Sequence, residues 1–250
     1  MKNNCPSRVP PCRRHGRTSH LSHALAWLAG GLLLSAGMAV AADATKEESG
    51  ARPQPVIPSV AERFAAADVK ESPDFSRHVI PLMGRLGCNG RACHGSFQCQ
   101  AGFRLALFGY DLKADHEALL QGEDPRTSVR EPEKSAILEK PTLVIPHEGG
   151  ERMKAGSWEY HLLLSWIKNG AEASPANLPA FDHLEVTPSE IHVAKKGEEF
   201  KLRAIAVWDD GRREDVTPLC RFQTNDETIA EISVDGVVTG TELCVCPGQP

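Results

Sequence analysis

The sequence predicts a multidomain chain, a small all-α domain followed by an antiparallel β-sandwich. Three observations lead there. An apolar stripe at helical spacing runs through residues 157–168. A compact Cys/Gly run, Cys88-Asn89-Gly90-Arg91-Ala92-Cys93-His94-Gly95, follows a second helical pattern that begins near Asp74. Beyond Asp182 the texture changes to short alternating apolar runs parted by turn dipeptides.

The first 41 residues form a leader. Arg8, Arg13, Arg14 and Arg17 precede an apolar stretch over residues 24–40, which ends in the small-x-small sequence Ala39-Val40-Ala41. This is the pattern of a secretion signal with its cleavage site, and the apolar core is shorter than the ~20 residues a spanning helix needs. A periplasmic or extracellular protein is therefore expected. The leader holds five Lys/Arg and no Asp/Glu, so its removal takes the formal net charge from −5 to −10. Polyanion binding needs clustered Lys/Arg, which excludes nucleic acid as a partner. Cys5 and Cys12 leave with the leader, and six cysteines remain: Cys88, Cys93, Cys99, Cys220, Cys244 and Cys246. In an oxidising compartment these are candidates for disulfides.

Residues 42–72, rich in Ala, Pro, Glu, Lys and Ser, read as a flexible linker with one short helix over residues 60–69. Asp74 is the expected N-cap of the next helix, with Phe75, Val79, Leu82 and Met83 on one face. After the cysteine run, Phe103-x-Leu105-x-Leu107 permits a short strand or an extended segment. A helical turn over residues 115–120, a turn-rich stretch over 122–133 and a short apolar element over 135–138 come next. The helix over 157–168 has Ser157 as N-cap and Asn169-Gly170 as its stop. Its Trp158, Tyr160 and Trp166 read first as core, with packing against a cofactor as the alternative.

Residues 173–182 form a second linker. From 183 to 250 the runs Leu184-x-Val186, Ile191-x-Val193, Phe200-x-Leu202-x-Ala204-x-Ala206, Ile229-x-Glu231 and Val237-Val238 alternate with turns at Lys196-Gly197, Asp209-Asp210-Gly211 and Asp235-Gly236. Strands at this spacing indicate the sandwich. Asp209, Asp210 and Asp215 read as turn chemistry, with loose calcium binding as the alternative.

The chemistry concentrates in the cysteine run. Two thiols followed directly by a histidine are how c-type haem is held: the thiols form thioethers to the porphyrin vinyl groups and the imidazole ligates the iron. Here four residues separate Cys88 from Cys93, where the usual motif has two. Two other readings stand beside haem. One is a Cys88–Cys93 disulfide with His94 at the surface, in an extracellular binding or structural protein without haem. The other is a zinc-like site of Cys88, Cys93, His94 and Cys99. No nucleophilic serine elbow, phosphate loop or zinc-protease helix stands out, so no enzyme is expected.

Residues 73–172 resemble the planctomycete-type cytochrome c domains of secreted proteins. The resemblance rests on residues 75–81, Gly87-Cys88-Asn89-Gly90…Cys93-His94-Gly95, Pro132-Glu133-Lys134-Ser135, His147-Glu148-Gly149-Gly150 and Trp166-Ile167…Gly170-Ala171. It implies a covalent haem c on Cys88 and Cys93, His94 as proximal iron ligand, and the wider cysteine spacing shared by relatives. Met153, just before the terminal helix, is the first candidate for the sixth ligand, and His147 is its competitor. It also implies electron transfer or redox sensing with an unidentified redox partner protein. Residues 183–243 resemble the group 2 bacterial immunoglobulin-like (BIG2) domain through Leu184-x-Val186-x-Pro188, Asp215-Val216-Thr217, Ile229-Ala230-x-Ile232 and Asp235-Gly236-Val237-Val238. That resemblance implies a contact with a cell-surface protein or polysaccharide, in an immunoglobulin-like domain that the chain leaves incomplete.

Overall fold

The computed structural model describes residues 54–241 apart from 96–99, 101 and 123. The leader, its apolar stretch, Cys99, Cys244 and Cys246 lie outside the described residues. Among those described, no helix is long and apolar enough to cross a membrane.

Local signals set most element ends. A short strand β1 (Val56–Ile57) is followed by α1 (Val60–Arg63), whose N-cap Ser59 accepts from the Glu62 N–H. Asp74 caps the next element as expected, its carboxylate accepting from the Arg77 N–H. A π-helical turn (Phe75–Val79) then leads into α2 (Ile80–Arg85). Three further helices follow: α3 (Leu112–Leu120), α4 (Ala136–Glu139) and α5 (Trp158–Lys168). In α5 the Ser157 hydroxyl accepts from the Tyr160 N–H, and Gly170 takes φ +98° just past the Asn169 cap.

One core gathers these helices. Phe75, Val79, Leu82 and Met83 are buried together with Leu162, Leu163, Trp166 and Ile167 of α5. Phe75 stacks on Trp166 at 5.4 Å between ring centroids, and His116 meets Phe75 edge-on at 5.0 Å. The Trp166 indole N–H donates to the Glu172 carbonyl. Trp166 is therefore plain core, while Trp158 and Tyr160 pack at its margin.

The remainder is strand. One sheet has the order β1-β5-β4-β2, built from β2 (Phe181–Thr187), β4 (Arg203–Trp208), β5 (Arg213–Asp215) and β1; β1 joins β5 in parallel. A second sheet has the order β3-β7-β6, from β3 (Glu199–Lys201), β6 (Ala230–Ile232) and β7 (Val237–Gly240). Gly197, Gly211 and Gly236 sit at positive φ in the expected turns.

The expected fold class is overturned. The described residues do not make a clear all-α domain: they carry five short helices and seven strands in two small sheets. Residues 73–172 hold only four of the short helices, α2 to α5, joined by turns and loops, with all seven strands outside that stretch. Gly87, at φ +82°, follows the end of α2, and Pro141 follows the cap of α4. Nor are the sheets a purely antiparallel immunoglobulin-like sandwich, since β1 enters from residues read as flexible linker. That stretch also supplies Val60 and Phe64, both 0 % exposed. The strand allowed at Phe103 is only an isolated bridge to Gln100, and residues 191–193 form none.

A buried ion network ties helices to sheet. The Asp74 N–H donates to Nδ1 of His78, which leaves the proton on Nε2 to be donated to Glu214 of β5 at 2.9 Å. Arg63 of α1 pairs with Glu214 and Glu71. Leu219, in a 3₁₀ turn after β5, joins the helical core. Asp210 pairs with Arg212, and Asp215 with Arg203 and Thr217. These acids are held by turn and strand partners, as their turn reading expects.

Candidate functional site

The cysteine run folds as consecutive tight turns hung from the end of α2. The Cys88 N–H donates to the Met83 carbonyl at 2.9 Å, and the His94 N–H returns to the Cys88 carbonyl at 2.9 Å. Gly95 closes the loop on Gly90, and a Cβ there would lie 2.1 Å from the Asn89 carbonyl oxygen. Only glycine fits, which gives the Cys-His-Gly ending a steric reason. The Asn89 side chain is buried beside Gly84, its Oδ1 without a hydrogen-bond partner among the described residues. The Asn89 carbonyl also accepts the Phe108 N–H at 3.1 Å, and the Leu105 N–H donates to the His94 carbonyl at 2.8 Å.

This winding brings Cys88, Cys93 and His94 to one small cleft of about 60 Å³. Met83, Phe103, Leu119 and Ile137 make its apolar walls; Arg126 (also paired with Asp124), Lys140 and Arg152 line it as cations, and no Asp or Glu does so among the described residues. Cys88, Cys93 and Cys220 carry free thiols. Burial, reinforced by the neighbouring Cys93, pushes the Cys88 thiol up to about 11, against the opposing field of Arg152. The Arg152 guanidinium also reaches the Cys93 sulfur at 3.9 Å.

His94 is held in the form an iron ligand needs. Its Nδ1 bonds the Phe103 carbonyl at 3.3 Å, which places the ring proton there and the lone pair on Nε2. Burial lowers its pKa; the Phe103 bond works the other way, and the fields of His147, Arg126 and Lys140 add to the lowering. The imidazole is thus neutral at neutral pH.

The two candidates for the sixth ligand part company. His147 lines the same cleft as His94. Met153 is 4 % exposed and belongs to the same buried cluster as the cleft-wall residues Met83, Leu119 and Ile137, but does not itself line the cleft. Its neighbour Arg152 takes the cleft position instead. Sequence reasoning missed Arg126, Lys140 and Arg152, which are scattered along the chain and carry no local motif. Of the zinc-like set, Cys99 lies outside the described residues, and among those described no group of three or more His, Cys, Asp or Glu is arranged to hold a metal ion by itself.

The donor set fits a c-type haem. Two free thiols and a neutral imidazole face one apolar-walled cleft, and its cations suit the two carboxylates such a macrocycle carries. Comparison with family models, with curated proteins and with solved structures finds no match to this chain.

Proposed function

We propose that the chain is a secreted c-type haem protein that carries electrons or senses redox state, exchanging electrons with a partner protein outside the cytoplasm. The observation that carries this reading is the convergence of Cys88, Cys93 and His94 on one cleft, with His94 Nδ1 turned to the Phe103 carbonyl. The basic leader, apolar stretch and Ala39-Val40-Ala41 support export. The likeness of the motif to planctomycete-type cytochrome c domains supports the same chemistry.

Each residue then has a definite task. The Cys88 and Cys93 thiols add across the two vinyl groups, sulfur to one carbon and hydrogen to the other, so no oxidant is consumed. His94 presents Nε2, fixed by the bond at its other nitrogen. Arg126, Lys140 and Arg152 offset the carboxylates, and Met83, Phe103, Leu119 and Ile137 exclude water. When bound, the haem supplies a one-electron couple whose potential is set by the axial ligands and the polarity around it.

The test is expression of the full chain in a host with haem-attachment machinery. Absorbance of the alkaline pyridine complex and resistance to acid-acetone extraction should show covalent haem. Mass spectrometry of the peptide holding Cys88 and Cys93 should show the added haem mass. A colourless protein whose peptide instead lacks two hydrogens would refute the proposal and favour a disulfide-stabilised binding protein.

A further inference from the structure

A second axial ligand must face the same space as His94 and be held there. Met153 is buried and does not line the cleft. His147 meets both. It lines the cleft, and its ring is seated by a reciprocal turn: Nδ1 donates to the Gly150 carbonyl at 2.8 Å, while the Gly150 N–H donates to the His147 carbonyl at 2.9 Å. That first bond puts the proton on Nδ1 and the lone pair on Nε2. The ring lies close against Gly149, where a Cβ would come within 2.8 Å of Cε1 and 3.0 Å of Nε2. Gly150 takes φ +73°, a conformation that a side chain disfavours.

We propose that His147 is the sixth ligand of the iron, with Gly149 and Gly150 as positioning residues and Met153 as core. The inference rests on the haem reading above and deepens it. Two imidazoles give a six-coordinate, low-spin iron with a lower reduction potential than a His/Met pair. The site is thereby suited to an electron carrier of low potential.

The experiment uses the haem-loaded full chain and reads ferric absorption, electron paramagnetic resonance and the reduction potential. The wild-type protein should be low-spin and lack the weak far-red band of a thioether bound to ferric iron. In His147→Ala the iron should turn high-spin and return to low-spin with added imidazole. In Met153→Leu, a volume-conserving exchange, the spectrum should stay unchanged. His147→Met keeps a ligand in the seat, so it should show the far-red band and a raised potential. A loaded chain whose low-spin signal survives His147→Ala, or is lost in Met153→Leu, overturns the ligand assignment alone. A chain without covalent haem overturns the reading of the cleft and this inference with it.

Discussion

Asp115 offers a stability test whose sign follows from the structure. It lies on α3 with its carboxyl turned inward, 0 % exposed, Oδ1 accepting the Ala106 N–H and Oδ2 without a partner among the described residues. Burial pushes its pKa from 3.8 to about 6; the Ala106 N–H opposes the rise and the charge of Asp111 adds to it. The folded chain therefore holds this proton more tightly than the unfolded chain. Below pH 3.8 both states are protonated and the site costs nothing. As pH rises to about 6 the unfolded chain ionises first, so stability falls across that window and stays low above it. At 1.36 kcal/mol per pH unit, the loss amounts to about 3 kcal/mol, roughly a hundredfold in the folding equilibrium. Asp115→Asn keeps the acceptor for Ala106 but carries no charge at any pH. Its buried amide N–H₂ adds a pH-independent offset, which cancels when one variant is followed across pH. Urea unfolding by tryptophan fluorescence at pH 4, 5, 6 and 7 gives the stability difference between variant and wild type. Because the unfolded carboxyl is already partly ionised at pH 4, that difference should move by about 2 kcal/mol in favour of Asn between the ends of the series. A difference flat with pH would refute the reasoning, because it would mean that Asp115 ionises as freely in the fold as outside it.

Two further predictions concern packing. Phe64 is 0 % exposed, so Phe64→Ala should cost about 3–5 kcal/mol in urea unfolding. A cost below about 1 kcal/mol would return the stretch before Asp74 to the status of a tether. Gly95→Ala places a methyl 2.1 Å from the Asn89 carbonyl, so the motif loop must shift. It should cost about 1–3 kcal/mol in thermal unfolding and sharply lower the yield of covalent haem. Full haem loading in this variant would show that the winding of the loop is not what presents the thiols.

The elements that were legible in the sequence are those whose signal is local. Asp74 and Ser157 both cap as expected, because an N-cap needs only its own hydroxyl or carboxylate and the next turn. The turns at Gly197, Gly211 and Gly236 follow from glycine's access to positive φ. What misled was composition without partners. Val60 and Phe64 are isolated apolar residues in a polar stretch, and their burial against α5 depends on contacts about a hundred residues away. The two-residue strand β1 exists only because β5 offers it an edge. Phe103-x-Leu105-x-Leu107 alternates as a strand should, yet the Leu105 N–H goes to His94 rather than to a neighbouring strand, and Leu107 opens a 3₁₀ turn.

The site divides in the same way. Cys88, Cys93 and His94 were visible because they lie within seven residues of one another, in the order that the proposed thioether attachment would need. The cleft's cations were not, since Arg126, Lys140 and Arg152 converge only through tertiary folding. The sixth-ligand position shows the limit most sharply. Arg152 and Met153 are adjacent, and both backbone N–H groups reach the Pro141 carbonyl, at 2.8 and 3.3 Å. Arg152 lines the cleft and its guanidinium reaches the Cys93 sulfur, while Met153 beside it is buried in the core. Nothing in the order Glu151-Arg152-Met153 says which side chain goes where, because only packing against residues distant in the chain decides it.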